Sequence, residues 1–98
     1  MWLLIDDMRS LEADVIARTP EAGKRMLALG GWDGLLLDHD LGLCESGAAV
    51  LDWAIEHELV PAKVMLVTSN PVGADNMARA LRAAGFETVN NRYFTKQT

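Results

Sequence analysis

Cysteine is almost missing from this chain. Cys44 is the only one, so no internal disulfide can form and a reducing compartment is expected. Long apolar runs are absent too, which excludes a membrane-spanning helix. Basic side chains are in deficit, 9 Lys and Arg against 14 Asp and Glu. The net charge of −5 argues against a general nucleic-acid or anionic-membrane surface. It leaves room for a small nucleotide held through a local metal. No internal repeat, low-complexity tract or linker interrupts the sequence. Met1 leads directly into an apolar stretch, without a signal-peptide pattern, so a cytoplasmic protein is expected. What remains is a 98-residue chain, half hydrophobic and 23% charged, which suits one soluble domain over 1–98 with a single core.

The organising stretch is Leu35-Leu36-Leu37-Asp38-His39-Asp40-Leu41-Gly42. Three leucines without alternation fit a strand buried on both faces, as in a parallel sheet. Their abrupt polar end would be the strand's carboxyl edge, where open α/β sheets bind ligands. Two other segments repeat the pattern: Trp2–Ile5 ends in Asp6-Asp7, and Val64–Val67 ends in Thr68-Ser69-Asn70. Laid side by side and parallel, these strands would bring their polar ends into one small acidic pocket.

Between them, Asp6–Asp14 reads as a loop with at most one helical turn, followed by a short strand at Val15-Ile16-Ala17. Thr19 is placed to cap a helix with Pro20 at its first position. Ala22, Met26 and Leu29 form that helix's apolar stripe, and Gly30-Gly31 ends it. A strand at Leu35–Asp38 and a loop at Gly42–Gly47 follow. A second helix over Gly47–Glu58 turns Val50, Leu51, Ala54 and Ile55 to one side. Pro61 breaks it before the strand Lys63–Thr68. Asn70-Pro71 opens a third helix with Met77, Ala80, Leu81 and Ala84 as its buried stripe, and Thr88–Phe94 reads as a weak final strand. Strands alternating with helices imply an α/β sandwich: three layers, a mostly parallel sheet of about five strands, and a first crossover helix that is short or missing.

Asp6, Asp7 and Asp38 would sit at neighbouring strand ends. Carboxylates that close together need a cation or a proton among them, and Mg²⁺ takes oxygen ligands of this kind. The plainer alternative has these aspartates capping turns. His39 could act as general acid or base beside the acids, although strand alternation would turn it away from Asp38 unless the strand has ended. Asp40 is either a further ligand or a tie for the Leu41-Gly42 turn. Thr68, Ser69 and Asn70 offer hydroxyls and an amide where a phosphate could lie at a helix start, or merely a cap. Arg9 and Arg18 are the basic residues nearest the strand ends and could clamp an anion. Cys44 reads as a bystander, His57 as solvated, and Trp32, Trp53 and the methionines as packing.

Together, Asp6-Asp7, Asp38 and Thr68 resemble the response-regulator receiver fold. More specifically, the chain resembles the cyclic-phosphate processing receiver-like family. The match rests on Asp6-Asp7-Met8-Arg9, Arg18-Thr19 with Glu21-Ala22, Leu37 to Gly42, Gly47, and Ser69-Asn70-Pro71-Val72-Gly73 with Met77. The resemblance implies a receiver-like (flavodoxin-like) sheet and a role on cyclic phosphates, such as 2′,3′-cyclic ends of nucleotides or RNA. It makes Asp6, Asp7 and Asp38 the ligands of Mg²⁺ or Mn²⁺. It makes His39 the family's histidine, Asp40 its second acid, and Thr68 and Asn70 the polar ligands of the fourth strand. Two departures stand out. Val67 occupies the place of a second family histidine, and only Lys96 is available for the receiver's lysine.

Three functions follow as alternatives. One is a metal-dependent phosphoesterase in which Asp38, His39 and Asp40 carry the chemistry and Thr68, Ser69, Asn70, Arg9 and Arg18 hold the substrate. Another is a phosphoacceptor receiver in which Asp38 takes the phosphoryl group. The third is an interaction module that has lost its chemistry, for instance an inhibitor of a host enzyme. Such domains occur in phage genomes, so the expected partners are a small phosphorylated ligand, an RNA end or a protein. By analogy with receivers, Val89, Tyr93 and Phe94 are candidates for a homodimer surface.

Overall fold

A computed structural model describes residues 1–42 and 45–96; Cys44 lies outside the described residues. The elements in chain order are β1 (Trp2–Ile5), β2 (Val15–Ala17), α1 (Pro20–Leu29), β3 (Gly34–Leu37), α2 (Gly47–Glu56), β4 (Lys63–Leu66), α3 (Pro71–Ala83), β5 (Phe86–Thr88) and β6 (Tyr93–Lys96). Among the described residues, all three helices start on side-chain caps. Thr19, Ser46 and Asn70 accept from the N–H groups of Ala22, Ala49 and Gly73, each satisfying a donor the helix cannot.

Among the described residues the strands form one six-stranded sheet in the order β2-β1-β3-β4-β6-β5. β2, β1, β3 and β4 run parallel, whereas β4–β6 and β6–β5 are antiparallel. The sheet is therefore mixed, with six strands rather than about five. The difference lies in the tail, where Thr88–Phe94 is not one strand but a turn between two. Asn90 accepts from the backbone N–H groups of Arg92 and Tyr93, and Asn91 adopts a left-handed φ of 59°, which reverses the chain into a hairpin.

Register sorts the side chains into two faces. Val15, Leu3, Leu35, Val64 and Phe94 stand in one row, with Ala17, Ile5, Leu37 and Leu66 parallel to it. These residues, Val15 only partly buried, pack against Leu27 of α1, Val50, Leu51 and Ala54 of α2, and Met77, Ala78 and Leu81 of α3 in a single core. All three helices thus cover one face, and the expected third layer is absent from the described residues. Handedness supplies the reason. Right-handed crossovers from β2 to β3 and from β3 to β4 advance in the same direction and leave α1 and α2 on the same side. The β1–β2 connection moves the opposite way and has only Asp6–Asp14 to cross with. That loop, not a helix, borders the second face, where Glu12, Ala13 and Asp14 line a groove with Trp2, Leu36 and Met65.

The α1 stripe also differs from expectation. Gly23 and Leu27 face the core, Ala22 and Met26 are partly buried, and Leu29 is 74% exposed. Gly23 sets this rotation, since a Cβ there would come within 2.7 Å of the Ile5 side chain. On α3 the buried positions are Gly73, Ala74, Met77, Ala78 and Leu81, with Ala80 and Ala84 only at its border. Phe94 is fully buried, so it cannot serve a dimer surface; Val89 and the half-buried Tyr93 can.

The two faces predict unequal mutational costs. Leu35→Ala should destabilise by about 2–5 kcal/mol, as large-to-small changes in a closed core do. Met65→Ala, on the second face and 36% exposed, should cost under about 1 kcal/mol. Urea unfolding of both variants checks this.

Candidate metal and phosphate site

Because β1 and β3 pair in register with Ile5 opposite Leu37, the residues that follow them, Asp6 and Asp38, emerge side by side at the carboxyl edge. The Asp38 N–H donates to the Ile5 carbonyl at 3.0 Å, carrying the ladder one residue past the strand. One carboxylate oxygen each from Asp6, Asp7 and Asp38 lies within 4.8 Å of the others. Around Mg²⁺ at about 2.1 Å, adjacent ligands are about 3.0 Å apart and an opposite pair about 4.2 Å, so a shared ion would draw these oxygens closer together. These hard oxygen donors suit Mg²⁺ or Mn²⁺.

Asp6 is 1% exposed, and its hydrogen bonds are extensive. Oδ1 accepts from the backbone N–H groups of Met8 (3.0 Å) and Arg9 (2.9 Å), and Oδ2 accepts from Arg9 Nε (2.9 Å). Burial pushes its carboxyl up, but those backbone donors and the Arg9 guanidinium outweigh it and hold the group below the usual carboxylate range. Arg9 Nη2 also lies 3.6 Å from Asp38 Oδ1 and donates to the Val67 carbonyl at 2.5 Å. The guanidinium therefore spans the ends of β1, β3 and β4.

Asp6, Asp7, Asp38, Asp40, Arg9, Met8 and Ser69 line a groove of about 340 Å³. His39 is turned to the side. The strand ends at Leu37, and the His39 ring lies over Gly73, where a Cβ would come within 2.3 Å of it. Its Nδ1 is 3.2 Å from Asp40 Oδ1 and 3.5 Å from Asn70 Nδ2. Gly47 is equally constrained: a Cβ there would strike the Asp38 carbonyl. Two separated glycines thus hold the Asp38-His39-Asp40 turn against the starts of α2 and α3.

Other candidates are used differently. Thr68 is buried and accepts from the Asn70 N–H, while Asn70 caps α3. Arg18 does not enter the groove; it donates to the Arg9 carbonyl at 2.6 Å and to Ser10 Oγ, bracing the β1–β2 loop. Lys96 cannot approach the acids. β6 runs antiparallel to β4, so Lys96 lies at the opposite edge, donating its N–H to the Ala62 carbonyl and stacking its Nζ over Phe86. The same reversal brings Arg92 to the carboxyl edge, where its Nη1 donates to the Thr68 carbonyl at 2.8 Å. No motif flagged Arg92; recognising the hairpin at Asn90-Asn91 would have been needed to find it. His57 is anchored at the α2 terminus, with Nδ1 2.8 Å from the Trp53 carbonyl.

The sequence model of a family described as "Cyclic-phosphate processing Receiver domain" matches residues 1–83. The chain belongs to that family. The matched part contains every member of the acidic groove, while Arg92 and the β5–β6 hairpin fall beyond it. No curated protein matches the chain. Among the described residues, no helix is long and apolar enough to cross a membrane.

Two measurements test this geometry. Asp6 has a native pKa below its unfolded value. It therefore adds stability that is present above about pH 4 and is lost as pH falls through the lowered native pKa. Asp6→Asn should flatten that acid limb in urea midpoints taken from pH 3 to pH 7. Separately, Gly73→Ala should cost about 1–3 kcal/mol and displace the His39 ring, seen as a changed imidazole signal in NMR spectra with the sheet signals kept.

Proposed function

We propose that this receiver-like domain opens cyclic phosphates, such as 2′,3′-cyclic ends of nucleotides or RNA, by metal-assisted hydrolysis. The observation that carries the reading is the convergence of Asp6, Asp7 and Asp38 on one groove in a chain of the cyclic-phosphate processing family. Asp6, Asp7 and Asp38 would hold Mg²⁺ or Mn²⁺. When bound, such an ion polarises the phosphoryl oxygens and makes water more acidic.

The chain's own groups then divide the work. Arg9, at the groove wall, offers donors to the phosphate oxygens, with Ser69 beside it. Asp40 lines the same groove and accepts the proton of the attacking water. His39 Nδ1, 3.2 Å from Asp40 Oδ1, steadies that carboxylate and shares the proton. The water oxygen bonds to phosphorus, one ring P–O bond breaks, and the released ribose oxygen takes up the proton. The product is a phosphate monoester.

A second reading has its own support. Lys96 lies at the far edge and Val67 stands where the family carries a second histidine, which favours a domain that binds a phosphoryl group or a protein partner without turnover.

Incubation with a 2′,3′-cyclic nucleotide and Mg²⁺ or Mn²⁺, followed by ³¹P NMR, separates the two. Hydrolysis predicts a growing monoester peak, lost with Asp38→Asn and slowed about 10²–10⁴-fold by Asp40→Asn. An unchanged substrate together with stable Asp38 phosphorylation by a small phosphodonor would support the second reading.

A further inference from the structure

The position of Arg9 bears on how the groove is loaded. Both oxygens of Asp6 are engaged, with two backbone donors on Oδ1 and Arg9 Nε on Oδ2. Arg9 Nη2 lies 3.6 Å from Asp38 Oδ1, so one guanidinium already sits against two of the three carboxylates that a metal would need. A divalent cation drawn to those oxygens would meet the Arg9 charge, which lies 2.9 Å from Asp6 Oδ2 and 3.6 Å from Asp38 Oδ1, and like charges in a partly buried site repel. Arg9 is also movable. Its side chain is 45% exposed, and the Nη2 bond to the Val67 carbonyl is the one side-chain hydrogen bond it makes outside Asp6 among the described residues.

We infer that Arg9 is the resident cation of the groove, and that metal and phosphate therefore load together rather than one after the other. A phosphate in the groove offers the guanidinium a bidentate partner and draws it off Asp6 and Asp38. The freed oxygens then take the metal, whose charge the phosphate also balances. Linkage makes the effect reciprocal: the metal tightens phosphate by the same factor as phosphate tightens metal. Substrate thus enters as a metal–phosphate pair, and metal alone is held weakly. Arg18 fits the same arrangement, since its bond to the Arg9 carbonyl keeps the Arg9 backbone in place while the side chain swings.

This inference rests on the metal reading above, and Mn²⁺ binding can separate the two. Water-proton relaxation would give the Mn²⁺ affinity of the wild type, Arg9→Gln, Arg9→Lys and Asp38→Asn, each with and without inorganic phosphate. Arg9→Gln should bind Mn²⁺ alone about tenfold more tightly than the wild type. Phosphate should tighten Mn²⁺ several-fold more in the wild type and in Arg9→Lys than in Arg9→Gln, where only the direct metal–phosphate attraction remains. A similar tightening by phosphate in the wild type and Arg9→Gln would overturn the role of Arg9 while leaving the metal site standing. Mn²⁺ affinity that is unaffected by Asp38→Asn, or absent from every variant, would overturn the metal reading and this inference with it. Amide spectra of each variant establish that the fold is retained.

Discussion

Mutual repulsion of three carboxylates is the constraint around which the carboxyl edge of this protein is built. The β1–β3 register sets Asp6 beside Asp38, and Asp7 adds a third charge to the same groove. Left alone, that cluster would destabilise the strand ends that create it. Neutralisation comes instead from the β1–β2 loop, whose backbone N–H groups and Arg9 side chain fold back onto Asp6. Arg18 holds the loop by its carbonyls, so two arginines serve one purpose at different depths. The loop that is too short to form a crossover helix is the right length to carry a counter-charge.

The remaining edge is assembled by close approach. Gly47 lets α2 start directly against the Asp38 carbonyl, and Gly73 lets α3 start against the His39 ring. Asn70 joins both, capping α3 with Oδ1 while its amide faces His39 Nδ1. The acids, the histidine and the helix caps form one connected unit in which few side chains can change size. The groove thus has walls of fixed shape, with the Arg9 guanidinium at its edge.

The other face of the sheet shows what this architecture omits. Ile16, Leu4, Leu36, Met65 and Tyr93 form a row away from the helices, with Trp2 laid across Gly34. Leu4 is fully buried there even without a helical layer, because its neighbours and the returning loop suffice for the middle of the row. Ile16 and Met65, further out, remain more than a third exposed. A compact domain therefore results from two layers and a loop where a third helical layer was expected.

Local pattern was enough to locate most elements and the acid trio. Leu35–Leu37 running into Asp38-His39-Asp40, Trp2–Ile5 into Asp6-Asp7, and the caps at Thr19 and Asn70 are signals read within a few residues, and strand ends and caps are themselves local. Tertiary structure alone decided the rest. Which face a helix covers depends on the direction and handedness of a crossover, so the missing layer was not written in any single segment. Arg92 rather than Lys96 reaches the carboxyl edge because the turn at residues 89–92, with Asn90 and Asn91 at its centre, reversed the last strand, and strand direction shows only once partners are paired. Arg9 was legible as a nearby cation, but its reach across three strand ends required the loop to close over Asp6. Periodicity and motifs report what each residue is suited to do. Long-range register determines which of those residues meet.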